Sequence, residues 1–124
     1  MDLKRIRLEL ARDRDYPEGS RNHGYEFAAP LTEAGHIDAE AWRAARERCR
    51  VRRYWAGEPD MVGHLVHKPG GSWGFHYDIR GNAAEDESGY RFNDHAFKPG
   101  EYVSLKEHDG VLRTFRVVSV MDLD

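Results

Sequence analysis

The stretch Cys49-Arg50-Val51-Arg52-Arg53-Tyr54-Trp55-Ala56-Gly57-Glu58-Pro59-Asp60-Met61-Val62-Gly63-His64-Leu65-Val66-His67-Lys68-Pro69-Gly70-Gly71-Ser72-Trp73-Gly74-Phe75-His76-Tyr77-Asp78-Ile79 decides the fold. Two turn sequences, Gly57-Glu58-Pro59-Asp60 and Pro69-Gly70-Gly71-Ser72, cut it into three strand-length pieces. Side chains alternate between the faces of a strand, so the register decides which of them are buried. Symmetric closure of each turn pairs Ala56 with Met61 and Lys68 with Trp73. That register gives an antiparallel meander over 49–56, 61–68 and 73–79. Its apolar face carries Cys49, Val51, Trp55, Val62, Val66, Trp73, Phe75, Tyr77 and Ile79.

The same register sets Arg53 opposite His64, and His64 opposite Tyr77, in the middle of that face and beside Trp55. A buried guanidinium needs an anion, because leaving it unpaired is strongly unfavourable. Two arrangements satisfy it. In one, Arg53, His64, Tyr77 and Trp55 line a pocket for a small anionic ligand, with His64 able to move a proton and Tyr77 orienting the ligand. In the other, a carboxylate from elsewhere closes an internal network. The opposite face carries Arg50, Arg52, Tyr54, His67 and His76. Guanidinium tracks phosphate and rings stack on bases, so Arg50, Arg52, Tyr54 and His76 are candidates for single-stranded nucleic acid. Only one ring lies there, and a solvated basic face is the alternative reading.

Upstream of the meander, Asp38 is placed to cap a helix over about 38–48, with Ile37 and Trp42 as a hydrophobic staple. Trp42, Ala45 and Cys49 then share a narrow face. The period changes to two at Cys49, which ends the helix, although helix up to Arg53 is an alternative. Ile6, Leu8 and Leu10 alternate with Arg7 and Glu9 and predict a strand over about 3–11. Residues 12–24 read as a loop, and Tyr25-Glu26-Phe27 as a short strand ended by Pro30. Residues 80–100 lack periodicity, which points to a functional loop or a short helix near Asn93–Phe97. A final hairpin turns at His108-Asp109-Gly110. A three-residue loop with Gly110 left-handed puts Val103, Leu105, Val111, Phe115 and Val117 on one face.

The fold class expected is therefore α+β: mainly antiparallel strands, about six, in a strongly bent sheet or partial barrel with one α-helix. The 124 residues suit a single domain, and 14 aromatic residues (five Phe, three Trp, six Tyr) exclude a wholly disordered chain. A formal net charge of −3 excludes a global field that would recruit nucleic acid or a membrane surface. Charge is nonetheless segregated. Arg43, Arg46, Arg48, Arg50, Arg52 and Arg53 stand against Glu47 alone, while Glu85-Asp86-Glu87 is acidic. A lone cysteine, Cys49, permits no intrachain disulfide, and no signal peptide or membrane-length apolar run is visible. The cytoplasm is the expected compartment.

Catalytic motifs are sparse. Gly70-Gly71-Ser72-Trp73-Gly74 matches Gly-x-Ser-x-Gly, but that motif needs a strand before it and a helix after it, and here it is a hairpin turn. His64-x-x-His67 points to opposite faces on a strand, whereas His67, His76 and Asp78 share one. Neither gives a closed metal ligand set, so no metal and no cofactor is expected. Cys49 reads as a small buried hydrophobe.

The blocks Asn22-His23-Gly24-Tyr25-Glu26-Phe27, Arg53-Tyr54-Trp55-Ala56-Gly57-Glu58 and Phe97-Lys98-Pro99-Gly100-Glu101-Tyr102-Val103, with Asp109-Gly110 and Arg116-Val117, resemble a family of short uncharacterised bacterial proteins. The resemblance spans most of the chain and implies no activity or site residues. The last block also resembles strand pairs in small β-barrels such as PUA-like domains, a likeness that carries no function. Together these readings predict a non-catalytic module that binds a small anionic ligand or a protein. The alternatives are a small enzyme acting through Arg53, His64 and Tyr77, and a weak nucleic-acid binder using the Arg50/Arg52/Tyr54 face. No membrane partner is expected.

Overall fold

The computed structural model describes residues 2–78, 87–90, 92 and 95–123. Period-two alternation makes the strands: Ile6, Leu8 and Leu10 are buried while Arg7 and Glu9 between them are half-buried. Among the described residues eight strands result: β1 (Leu3–Leu10), β2 (Ser20–Pro30), β3 (Arg50–Trp55), β4 (Glu58–His67), β5 (Trp73–Tyr77), β6 (Glu87–Tyr90), β7 (Tyr102–Lys106) and β8 (Leu112–Asp122). Each pairs antiparallel with the next, and β8 returns to β1, so the sheet closes into an up-and-down barrel. The expected antiparallel architecture with one short helix is found, but as a closed eight-stranded barrel instead of a six-stranded partial one.

The two additional features have local causes. Residues 20–24 look like loop because β2 is irregular there: Glu9 pairs with Gly24 but Leu10 with Ser20. Gly24 is required, since a Cβ there would sit 2.0 Å from the Leu8 carbonyl oxygen. Strand β6 is short, and its inward residue is Gly89. The Phe92 ring occupies the space a side chain would take, 2.4 Å from a Cβ built on Gly89. No alternation could announce such a strand. Ile79, Glu85, Asp86 and Asn93, to which the expected third meander strand, acidic run and short helix extend, lie outside the described residues.

Helix α1 (Ala39–Ala45) joins β2 to β3 and runs on into a 3-10 turn, Arg46–Arg48. Asp38 caps it, accepting from the Ala41 amide at 3.0 Å. The Trp42 indole donates to the Leu65 carbonyl oxygen at 3.0 Å and meets Trp73 edge-on. Phe92 and Phe97, in the β6–β7 connection at the same end, pack on Phe27 and Phe75. The interior is thus filled by rings, as eight-stranded barrels permit.

The register of the meander differs from symmetric closure. A two-residue turn at Ala56-Gly57 pairs Trp55 with Glu58, and an irregular step containing Pro59 leads to Arg53 opposite Met61. Proline lacks an amide donor and is tolerated at such a step. The next hairpin pairs His67 with Trp73 and closes Lys68 on Ser72, so its loop is three residues with Gly70 and Gly71 left-handed. The first slip is three residues and the second is one. Both are odd, so they cancel by β5 but invert β4 between them. Trp73, Phe75 and Tyr77 are buried as expected, whereas Val62 is 42% exposed and Leu65 takes the buried position.

The final hairpin closes as read. Glu107 and Val111 bracket a three-residue loop, and Gly110 has φ +83. Val103, Leu105, Phe115 and Val117 are buried, while Val111 is exposed beside the turn.

Candidate functional site

The β1–β2, β3–β4 and β7–β8 connections meet at the end of the barrel opposite α1. Arg53 points inward from β3 and is only 4% exposed. Its Nε donates to Glu107 Oε2 at 3.4 Å and its Nη1 to Glu58 Oε1 at 3.3 Å. Glu107, equally buried, also accepts from the Tyr25 hydroxyl at 2.5 Å. Arg113 enters from β8, with Nε 3.3 Å from Glu107 Oε1 in an ion contact that lacks hydrogen-bond alignment. Its Nη atoms reach Asp13 at 2.9 Å and Asp15 at 3.2 Å. The Trp55 ring lies under the Arg53 guanidinium, centroid 4.2 Å away, with Arg113 and the His23 ring on its other contacts.

This is the internal network closed by a carboxylate, and it brings together Arg53 and Trp55 but not the expected trio. Tyr77 is inside, paired with Gly63. With His108, Glu58 and Met61 it lines a cavity of about 260 Å³. His64 is outside: its cross-strand partners are Arg50 and His76. The row of Arg53, His64 and Tyr77 is therefore corrected by the inversion of β4.

Electrostatics at this mouth follow from burial. Burial holds His23 below the ordinary histidine range, and the neighbouring Arg53 and Arg113 guanidinium groups add to the effect. Burial pushes the Asp13 carboxyl up, yet the hydrogen bonds from the Asp15 amide and Arg113 outweigh it and hold it low. Glu107 and Arg113 were not singled out from the sequence. The signal was present, since they continue the inward parity of Val103/Leu105 and Phe115/Val117 to the ends of their strands.

On the outer face, Arg52 pairs with Glu26 and Asp60, both at 2.8 Å. Arg50 pairs with Asp78 at 3.0 Å and contacts His64 Nε2 at 2.9 Å. Arginine only donates, so Nε2 is the acceptor and Nδ1 faces Asp78 at 3.4 Å. Tyr54 is not an open stacking surface. It is 8% exposed, with the Arg7 and Arg52 guanidinium groups 4.6 and 5.1 Å from its ring centroid. Its hydroxyl donates to the Leu8 carbonyl oxygen at 3.1 Å, and burial pushes its pKa up to about 12. His76 faces His64, not His67, which instead stacks on Trp73 at 4.1 Å. The expected sharing of a face by His67 and His76 is overturned by the same one-residue slip.

Where this face meets the start of β3, Arg5, Arg48, Arg50 and Arg52 line a cavity of about 350 Å³ with Ala28, Val62 and one acid, Glu26. Burial raises the Glu26 pKa, but hydrogen bonds from Arg52 and Arg7 outweigh it and hold the carboxylate low. Arg5 and Arg48 are exposed and enter no ion pair among the described residues. Ser72 sits in its hairpin turn, exposed. Cys49 is fully buried, and burial pushes its thiol pKa up to about 11. Among the described residues no group of three or more His, Cys, Asp or Glu is arranged to hold a metal.

Fold and surface together define a ring-filled, up-and-down eight-stranded β-barrel with one charged mouth and a basic outer groove. No protein-family model, curated protein or solved structure matches this chain. Among the described residues no helix is long and apolar enough to cross a membrane.

Proposed function

We propose that the protein is a non-catalytic binding module whose basic outer groove holds a small ligand bearing a phosphate or carboxylate group. The observation that carries this reading is the pair of exposed guanidinium groups, Arg5 and Arg48, which enter no ion pair among the described residues and line one cavity with Arg50 and Arg52. Arginine's planar fork matches such anions in bidentate fashion. Arg50 and Arg52 project from β3, where ion pairs with Asp78, Asp60 and Glu26 orient their side chains.

The internal residues favour a structural part over a catalytic one. Arg53 and Glu107 neutralise each other, and His64, the proposed proton carrier, stands on the other side of the wall. Nucleic acid is the less favoured ligand, since Tyr54 has guanidinium groups against its ring and leaves no face for a base.

Titration with inorganic pyrophosphate at low ionic strength, followed by amide chemical shifts, tests the reading. Saturable shifts should centre on residues 5, 28, 48, 50 and 52, and an Arg5→Ala/Arg48→Ala variant should lose about tenfold or more in affinity, the equivalent of one 1.4 kcal/mol contact. An absence of shifts, or shifts centred elsewhere, overturns the groove. An oligo(dT) that outcompetes pyrophosphate there would replace the small-anion reading with a polymeric one.

A further inference from the structure

The geometry points to a second binding site, outside the charged mouth and the basic groove, for a nucleoside monophosphate. It lies at the end of β1, beside the 11–19 connection and against β7 and β8. There β2 is irregular, pairing Gly24 with Glu9 and then Ser20 with Leu10, while β1 stays paired with β8 through Leu10 and Phe115. A cleft of about 610 Å³ is lined by Arg12, Arg21, Arg116, Tyr102, Glu9 and Glu18, among others. Sites for small molecules commonly span roughly 300–1,000 Å³.

Its chemistry is that of a ring beside cations. Tyr102 is 55% exposed and has no ring partner among the described residues, so its face is open to a ligand. Arg116 pairs with Tyr102 across β7–β8 and with Glu9 across β1–β8, so the three side chains form one outward row. Glu9 is already held by Arg7 at 3.1 Å. Arg12, Arg21 and Arg116 enter no ion pair among the described residues. A flat base can stack on Tyr102 while the guanidinium groups close on its phosphate. Glu18 in the lining suits one phosphate better than a run of them. Nothing in this argument uses Arg5, Arg48, Arg50 or Arg52, and the two cavities share no lining residue.

Isothermal titration of the full chain with AMP, GMP, CMP and UMP tests it, with inorganic phosphate and adenosine as separate arms. At least one nucleotide should bind more tightly than either fragment. Tyr102→Ala and Arg116→Ala should each weaken it about tenfold, a change of 1.4 kcal/mol, while Tyr102→Phe and the Arg5→Ala/Arg48→Ala variant leave it unchanged. All these side chains are exposed, so unchanged circular dichroism and melting temperature will separate binding from folding. Failure of all four nucleotides to bind overturns the site. So does binding that ignores Tyr102 and Arg116, phosphate binding as tightly as the nucleotides, or affinity lost only with Arg5 and Arg48.

Discussion

The two ends of the barrel are sealed by different physics. At one, Phe92 and Phe97 close over Phe27 and Phe75, with a centroid spacing of 5.1 Å for Phe92–Phe97, and Trp42 packs edge-on against Trp73. At the other, Glu107 draws in Tyr25, Arg53 and Arg113, and both guanidinium groups lie against the Trp55 ring. Ring packing gains from buried area and edge-to-face geometry, whereas the ionic seal gathers several donors on one buried carboxylate. The comparison teaches that the buried Arg53 is a closure element, held by carboxylates of its own chain.

The largest effects should come from removing one member of either seal. Glu107→Leu removes the buried carboxylate that Arg53, Arg113 and the Tyr25 hydroxyl share and should lower unfolding free energy by ~3–5 kcal/mol in urea titration. Phe75→Ala at the ring end should lose ~3–5 kcal/mol through the cavity it leaves. If Glu107→Leu loses less than ~1 kcal/mol, the mouth is held by something other than its ion pairs. A smaller loss of ~1–3 kcal/mol is expected for Gly63→Ala, midway between the ends. Its new Cβ would meet the His76 carbonyl oxygen at 1.9 Å, so a neutral outcome would refute the observed β4–β5 register. Asp38→Ala removes the helix cap and should cost about 1 kcal/mol, affecting only the ring end.

The smallest effect separates the ends by pH. Burial and the arginines hold His23 below the ordinary value near 6.5. Below that value the unfolded chain takes up a proton that the folded chain refuses, so stability falls as pH drops until the lowered folded pKa is passed. The slope between about pH 7 and 5.5 should flatten in His23→Gln and persist in Asp38→Ala, read from melting temperatures across that range.

Much of the wall was legible from alternation alone: β1, the β7–β8 hairpin and its left-handed Gly110, the Asp38 cap and the helix end before Cys49. The meander register was not, and the reason is instructive. Pro69-Gly70-Gly71 makes the same three-residue loop as His108-Asp109-Gly110, but treating the first as a four-residue turn displaced the pairing by one. Pro59 looks like turn chemistry and in fact sits in a strand irregularity. The two odd shifts cancel at β5 and invert β4, which puts His64 outside. That Arg53 needs an acid followed from its position, but which acid required long-range knowledge, since Glu107 is 54 residues away. The Tyr102–Arg116 pair follows from the β7–β8 register, whereas Glu9 joins that row only when β8 returns to β1.

That return of β8 to β1 also limits how this molecule can meet others. Among the described residues each strand has a hydrogen-bonded neighbour on both sides, so the wall offers no whole free edge strand of the kind an open sheet presents to an extended peptide or a second copy. That closure shifts the burden of recognition from the main chain to the outward side chains.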